Sequence, residues 1–156
     1  MEREFLNIVE ANQGIIFKVC KLYRNSKEDQ EDLFQEIVLQ LWRAFPKFRK
    51  ESKVSTWMYR IALNTAIAMF RKHKIEIEFN EYTPKEIYSN QESEQSENEE
   101  RLFDAIRTLN QTERAIIALF LEGFNYKEIG EITGITENYV GVKINRIKEK
   151  LKIILK

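Results

Sequence analysis

The sequence predicts an all-helical protein: two small helical modules joined by an acidic linker. Three observations carry this reading. The chain of 156 residues holds only 5 Gly and 2 Pro, well below the roughly 7% and 5% of average proteins, which argues against the many turns of a β-sandwich or barrel. Apolar residues recur at three- and four-residue intervals towards both ends of the chain. The 25 basic and 25 acidic residues cancel in sum but not in place. Residues 1–75 hold 14 basic and 9 acidic residues, 76–104 hold 2 and 10, and 105–156 hold 9 and 6. A neutral total is therefore +5, −8 and +3.

The first module, residues 1–75, reads as three helices. Phe5, Ile8, Ile15, Ile16, Val19 and Leu22 keep helical spacing to about Asn25. Ser26 is placed to cap the second helix, and Glu28, Asp29, Glu31 and Asp32 suit its positive N-terminus. Leu33, Ile37, Leu41 and Phe45 form its apolar row, and Pro46 ends it. A basic segment, Pro46 to Lys53, leads to Ser55 or Thr56 as cap of a third helix running to about His73. On that helix Arg60, Asn64, Ile67 and Arg71 fall within about 60° of one another, beside a broad face of Trp57, Met58, Ile61, Ala62, Thr65, Ala68 and Met69. The stretch from Glu92 to Glu100 is polar, acidic and nearly free of apolar residues, so it reads as a solvated linker within 76–104.

The second module, 105–156, opens with a capping box at Asn110 and Glu113. Ile116, Ile117, Leu119, Phe120 and Leu121 follow, and Gly123 can stop the helix in a left-handed conformation. Asn125 with Glu128 caps a short helix carrying Ile129 and Ile132. Gly134 breaks it, and Thr136 caps a long last helix whose Val140, Ile144, Ile147, Leu151 and Ile154 form one inward seam.

Catalytic and metal chemistry find no residues here. Cys20 is the single cysteine, set among Val19, Leu22 and Tyr23, and reads as a reduced core thiol. His73 stands alone in Arg71-Lys72-His73-Lys74, and no Cys, His or carboxylate ligands repeat at metal spacing. There is no Gly-rich phosphate loop and no GxSxG. The Met-Glu-Arg-Glu start lacks the apolar stretch of a signal peptide, and no run approaches about 18 apolar residues. The expectation is a cytoplasmic, non-enzymatic protein without cofactor, metal, small-molecule substrate or membrane insertion.

Residues 126–145 fit a helix-turn-helix. Small Gly130 lets two helices approach, Gly134 makes the turn, and Ile129, Ile135 and Val140 fill the space between. That leaves the start of the last helix free to enter a major groove. Glu137, Asn138, Tyr139, Gly141 and Lys143 would face base edges and nearby phosphates. Lys143, Arg146, Lys148, Lys150, Lys152 and Lys156 form a cation row along this helix, interrupted only by Glu149, of the kind that phosphate contact needs.

The run from Asp32 to Phe45, then Phe48-Arg49, then Ser55 to Asn64, closely resembles region two of bacterial RNA polymerase sigma factors, and most of all their small extracytoplasmic-function class. Residues 110–152 resemble region four of the same family, in the expected order and after the expected short linker. The resemblance implies that Asp32, Gln35, Glu36, Leu39, Gln40 and Arg43 dock on the clamp helices of core RNA polymerase. It implies that Lys47, Phe48, Arg49, Lys50, Lys53, Arg60, Asn64, Arg71 and Lys72 hold and melt the minus-ten element. Cations would grip phosphates while a pocket accepts an unstacked base. Glu137, Asn138, Tyr139, Gly141, Lys143 and Arg146 would read the minus-thirty-five element. The implied partners are core RNA polymerase, promoter DNA and an anti-sigma factor.

Some residues depart from the family pattern. Gly141 stands where many relatives carry a basic or polar residue, Val142 replaces a small polar one, and Glu137 and Tyr139 are uncommon choices. The target sequence therefore cannot be copied from a relative. Two other readings stay open at this point: a sigma mimic that sequesters an anti-sigma protein, and a stand-alone helix-turn-helix regulator.

Overall fold

A computed structural model describes residues 1–51, 53–79 and 95–155, with side chains left aside at 70–79 and 95–96. Every regular element among them is helical, and the chain divides into two units, Met1–Ser89 and Asn90–Lys156.

In the first unit, helices α1 (Glu2–Ala11) and α2 (Gln13–Tyr23) replace the single first helix expected from periodicity. The break lies at Asn12. Its side-chain amide donates to the Ile8 carbonyl at 2.9 Å, while its backbone N–H turns to Val9 instead. A short amide side chain thus takes the acceptor that a continuing helix would use. Ser26 caps α3 (Lys27–Ala44) as expected, its hydroxyl accepting the Asp29 N–H at 3.0 Å. After Ala44, Pro46 sits in a 3₁₀ turn, Phe45–Lys47.

Helix α4 (Val54–Phe79) begins earlier and ends later than the sequence suggests. The Trp57 N–H donates to the Lys53 carbonyl at 3.1 Å, so Lys53 occupies the capping place. Thr56 is buried inside the first turn rather than capping it. The buried line of α4 is Met58, Tyr59, Ala62, Leu63 and Ala66, rotated from the expected face, and Ala68 is exposed. This line packs against α2 and α3, where Ile16, Val19, Leu33, Ile37 and Leu41 are fully buried.

In the second unit, α5 (Gln95–Arg107) starts inside the stretch that the sequence reads as linker. Acidic residues suit the opening turns of a helix, and Ala105 and Ile106 give its last turn something to bury. The Arg114 guanidinium then accompanies the end of α5, donating to the carbonyls of Arg107 at 2.7 Å and Leu109 at 3.2 Å. Helices α6 (Gln111–Leu121) and α7 (Tyr126–Thr133) each open on the expected capping box. In α6 Asn110 accepts the Glu113 N–H at 2.8 Å, and in α7 Asn125 accepts the Glu128 N–H at 2.8 Å. Thr136 caps α8 (Glu137–Ile154), accepting the Tyr139 N–H at 3.2 Å. The seam of α8 is buried at Val140, Ile144, Ile147 and Leu151 but stops there, because Ile154 is exposed.

Candidate polymerase and promoter surfaces

The same helical period that buries Leu33, Ile37 and Leu41 turns a polar row of α3 outward. Asp32, Gln35 and Arg43 are exposed, and Glu36 and Gln40 are half-buried. The Gln40 amide donates to the Glu36 carboxylate at 2.9 Å, one turn apart, which keeps this part of the row in register. Leu39 stands in the row at 40% exposure, and Trp42, one turn further, at 41%. Trp42 is propped by the Phe5 ring at 5.1 Å. Sequence reasoning overlooked Trp42, although its i, i+3 spacing from Leu39 was the signal for a shared apolar patch.

The basic loop is folded onto α4 by aromatic stacking. Phe48 lies 4.5 Å from Trp57 at an interplanar angle of 18°, and Phe45 approaches Trp57 at 6.2 Å. Phe48 is thus half-buried, while Lys47, Arg49, Lys50 and Lys53 around it are exposed. Lys50 takes a left-handed conformation, with φ of 58°, and its ammonium lies 3.4 Å from the Glu4 carboxylate of α1. Along α4, Trp57, Arg60 and Asn64 fall within about 60°, and Arg60 and Asn64 are exposed. The stack and the polar pair therefore share one side of the helix. Arg71 and Lys72 lie on α4, but their side chains fall outside the described residues.

The helix-turn-helix corner depends on two glycines. A Cβ on Gly130 would meet the Ile135 carbonyl oxygen at 2.6 Å, a backbone atom that cannot step aside. Gly134 ends α7 at φ of 81°, where a side chain is strained. Ile129 and Val140 are fully buried behind the corner, and Ile135 is half-buried.

Beyond the corner Glu137, Asn138, Tyr139 and Arg146 are exposed, and Gly141 and Lys143 are half-buried. The Lys143 ammonium lies 5.5 Å from the Tyr139 ring centroid. Further along, part of the expected cation row makes contacts within its own module. Lys148 lies over the Phe120 ring at 4.6 Å, Lys150 pairs with Glu113 at 2.7 Å, and Lys152 approaches Glu149 at 3.7 Å. Glu149 is therefore not the only carboxylate opposing the row. Glu113 reaches it from α6, which its distance in sequence concealed. Lys156 lies outside the described residues.

Burial pushes the Cys20 thiol up to about 12, with Arg24 opposing the shift, so it is a poor nucleophile at neutral pH. Among the described residues no cluster of His, Cys, Asp and Glu could hold a metal, and no helix is long and apolar enough to cross a membrane.

Comparison with known proteins accounts for both modules. Residues 8–75 match the family Sigma-70 region 2, and residues 99–151 match Sigma-70, region 4. The ECF RNA polymerase sigma-E factor of Haemophilus influenzae is 32% identical over 141 residues, covering 81% of this chain and 75% of that protein. This chain belongs to the extracytoplasmic-function sigma factors. The ECF RNA polymerase sigma factor SigM of Bacillus subtilis is 28% identical over 151 residues, covering 94% of this chain and 92% of its own. Two solved structures share the fold. The sigma factor RpoE of Bartonella quintana, solved with the anti-sigma factor NepR, has a TM-score of 0.76 at 20% identity, covering 99% of this chain and 95% of that one. CnrH, solved with the cytosolic domain of CnrY, has a TM-score of 0.71 at 18% identity, covering 99% and 89%.

As a sigma factor, the protein binds core RNA polymerase and directs it to promoters, and it is not itself an enzyme. The region-two match also answers the reading as a stand-alone helix-turn-helix regulator, which left the first module without a task.

Proposed function

We propose that three surfaces divide the work of this sigma factor. The outward row of α3, with Asp32, Gln35, Glu36, Leu39, Gln40 and Arg43, docks on core polymerase. The loop and α4 surface, with Lys47, Phe48, Arg49, Lys50, Lys53, Arg60, Asn64, Arg71 and Lys72, holds the minus-ten element and helps to open it. The start of α8, with Glu137, Asn138, Tyr139, Gly141, Lys143 and Arg146, reads the minus-thirty-five element.

The observation that carries this division is the Phe48–Trp57 stack beside Arg60 and Asn64 on one side of α4. It sets a flat aromatic surface among cations, and unstacked bases are held on such surfaces. Trp42, exposed beside Leu39 at the edge of the polar row of α3, supports the docking role, since exposed tryptophans are favoured anchors of protein interfaces. NepR and CnrY each bind a sigma factor of this fold, which supports an anti-sigma partner for this chain too.

Run-off transcription with the host's core polymerase tests the division. Leu39→Glu should abolish pull-down of core polymerase. Trp57→Ala should leave pull-down intact and lower permanganate reactivity of melted thymines at the minus-ten element at least tenfold. Full promoter opening by Trp57→Ala would remove the stack from the proposal.

A further inference from the structure

Gly141 is half-buried at the border between the buried seam and the outward face of α8, about 60° from Ile144. What covers it is Tyr126. A Cβ at residue 141 would lie 3.3 Å from Cε2 and 3.6 Å from Cδ2 of that ring. Tyr126 is the first residue of α7, its ring centroid is 6.5 Å from that of Phe120, and it remains 37% exposed.

Helical geometry shows which part of α8 this concerns. At 100° per residue, Glu137, Asn138, Gly141 and Asn145 fall on one flank of the outward face, and Tyr139, Val142, Lys143 and Arg146 on the other. The second flank carries long side chains of its own. The first has bare backbone at its middle, and the aromatic ring from the neighbouring helix lies against it.

We propose that Tyr126 and Gly141 are a matched pair that sets base preference at one step of the upstream promoter element. The ring of Tyr126 takes the place where a side chain at 141 would project. It gives that flank an uncharged aromatic edge where Arg or Lys would reach for guanine. Residue 141 thus acts by what it leaves room for, and Tyr126 joins the reading surface from outside the recognition helix. The proposal rests on α8 being the helix that reads the upstream element.

The test uses holoenzyme assembled from the host's core polymerase and the full chain. Promoters are selected from a library randomised across the upstream element. Tyr126→Ala should change base preference at one step, or at two adjacent steps, by about fivefold or more. Gly141→Arg should change the same steps and move them towards guanine. Because the arginine displaces the ring, adding Tyr126→Ala to Gly141→Arg should change little more, the non-additivity expected of touching residues. Gly141→Ala asks the ring to give only a few tenths of an ångström and should shift the same steps more weakly, which keeps the test open if the arginine variant folds poorly. Unchanged preference in Tyr126→Ala overturns the proposal, as do additive effects or effects at different steps. Wild-type holoenzyme selecting no upstream sequence at all would instead overturn the role of α8, and the pair with it.

Discussion

At Gly130 one hydrogen in place of a methyl group decides whether the helix-turn-helix closes. The clash a Cβ would make is with the carbonyl oxygen of Ile135, which also accepts no rearrangement from a rotamer change. Gly130→Ala should therefore cost about 1–3 kcal/mol, read as a lowered denaturation midpoint, and should weaken upstream-element binding in holoenzyme. Cys20 gives the opposite kind of expectation, of inertness. Its folded thiol titrates at about 12 against a usual 9.0, so alkylation at pH 8 should be far slower in the native protein than in denaturant. The sign of the linkage follows: the folded state holds this proton more tightly. Its contribution to stability is complete below about pH 9 and lost as pH rises towards 12. Individual caps were legible in the sequence because Ser26, Asn110, Asn125 and Thr136 act on amides three residues away. Asn12 was not, since an asparagine in a continuous apolar pattern gives no sign of which carbonyl its amide will choose.

At the scale of elements, charge and periodicity each misled in places. Glu97, Glu99 and Glu100 look like a solvated strap, yet they open α5, whose burial begins only at its other end. The exposed face of α3 followed directly from its apolar row, whereas the buried face of α4 came out rotated because both of its flanks carry apolar residues. The tie between α6 and α8 was invisible for a different reason. Glu113 and Lys150 are 37 residues apart, and only the folded chain brings them together. The Glu113 side chain is 4% exposed and that of Lys150 54%. Lys150→Met strands a buried carboxylate and should cost roughly 1–3 kcal/mol. Glu113→Gln, which removes the charge while an amide oxygen can still close the cap, should cost less. Urea denaturation of the two variants checks the order.

For the whole molecule, the charge pattern of +5, −8 and +3 remains the trait of the chain most plainly legible before folding, but it overstates what α8 can give to DNA. Lys148 and Lys150 are engaged by Phe120 and Glu113, and the proposed promoter contacts of α8 fall to Lys143, beside the Tyr139 ring, and to Arg146. Holoenzyme carrying Arg146→Ala should lose about 0.9 from the slope of log affinity against log salt, and Lys152→Ala should lose almost nothing. Filter binding across a salt series distinguishes them. The Glu113 carboxylate also fixes how this unit comes apart. One of its oxygens accepts the Asn110 N–H and the other holds the Lys150 ammonium. Glu113 thus ties the start of α6 to the far half of α8, and the two segments, distant in sequence, should show similar protection of their amides against deuteration.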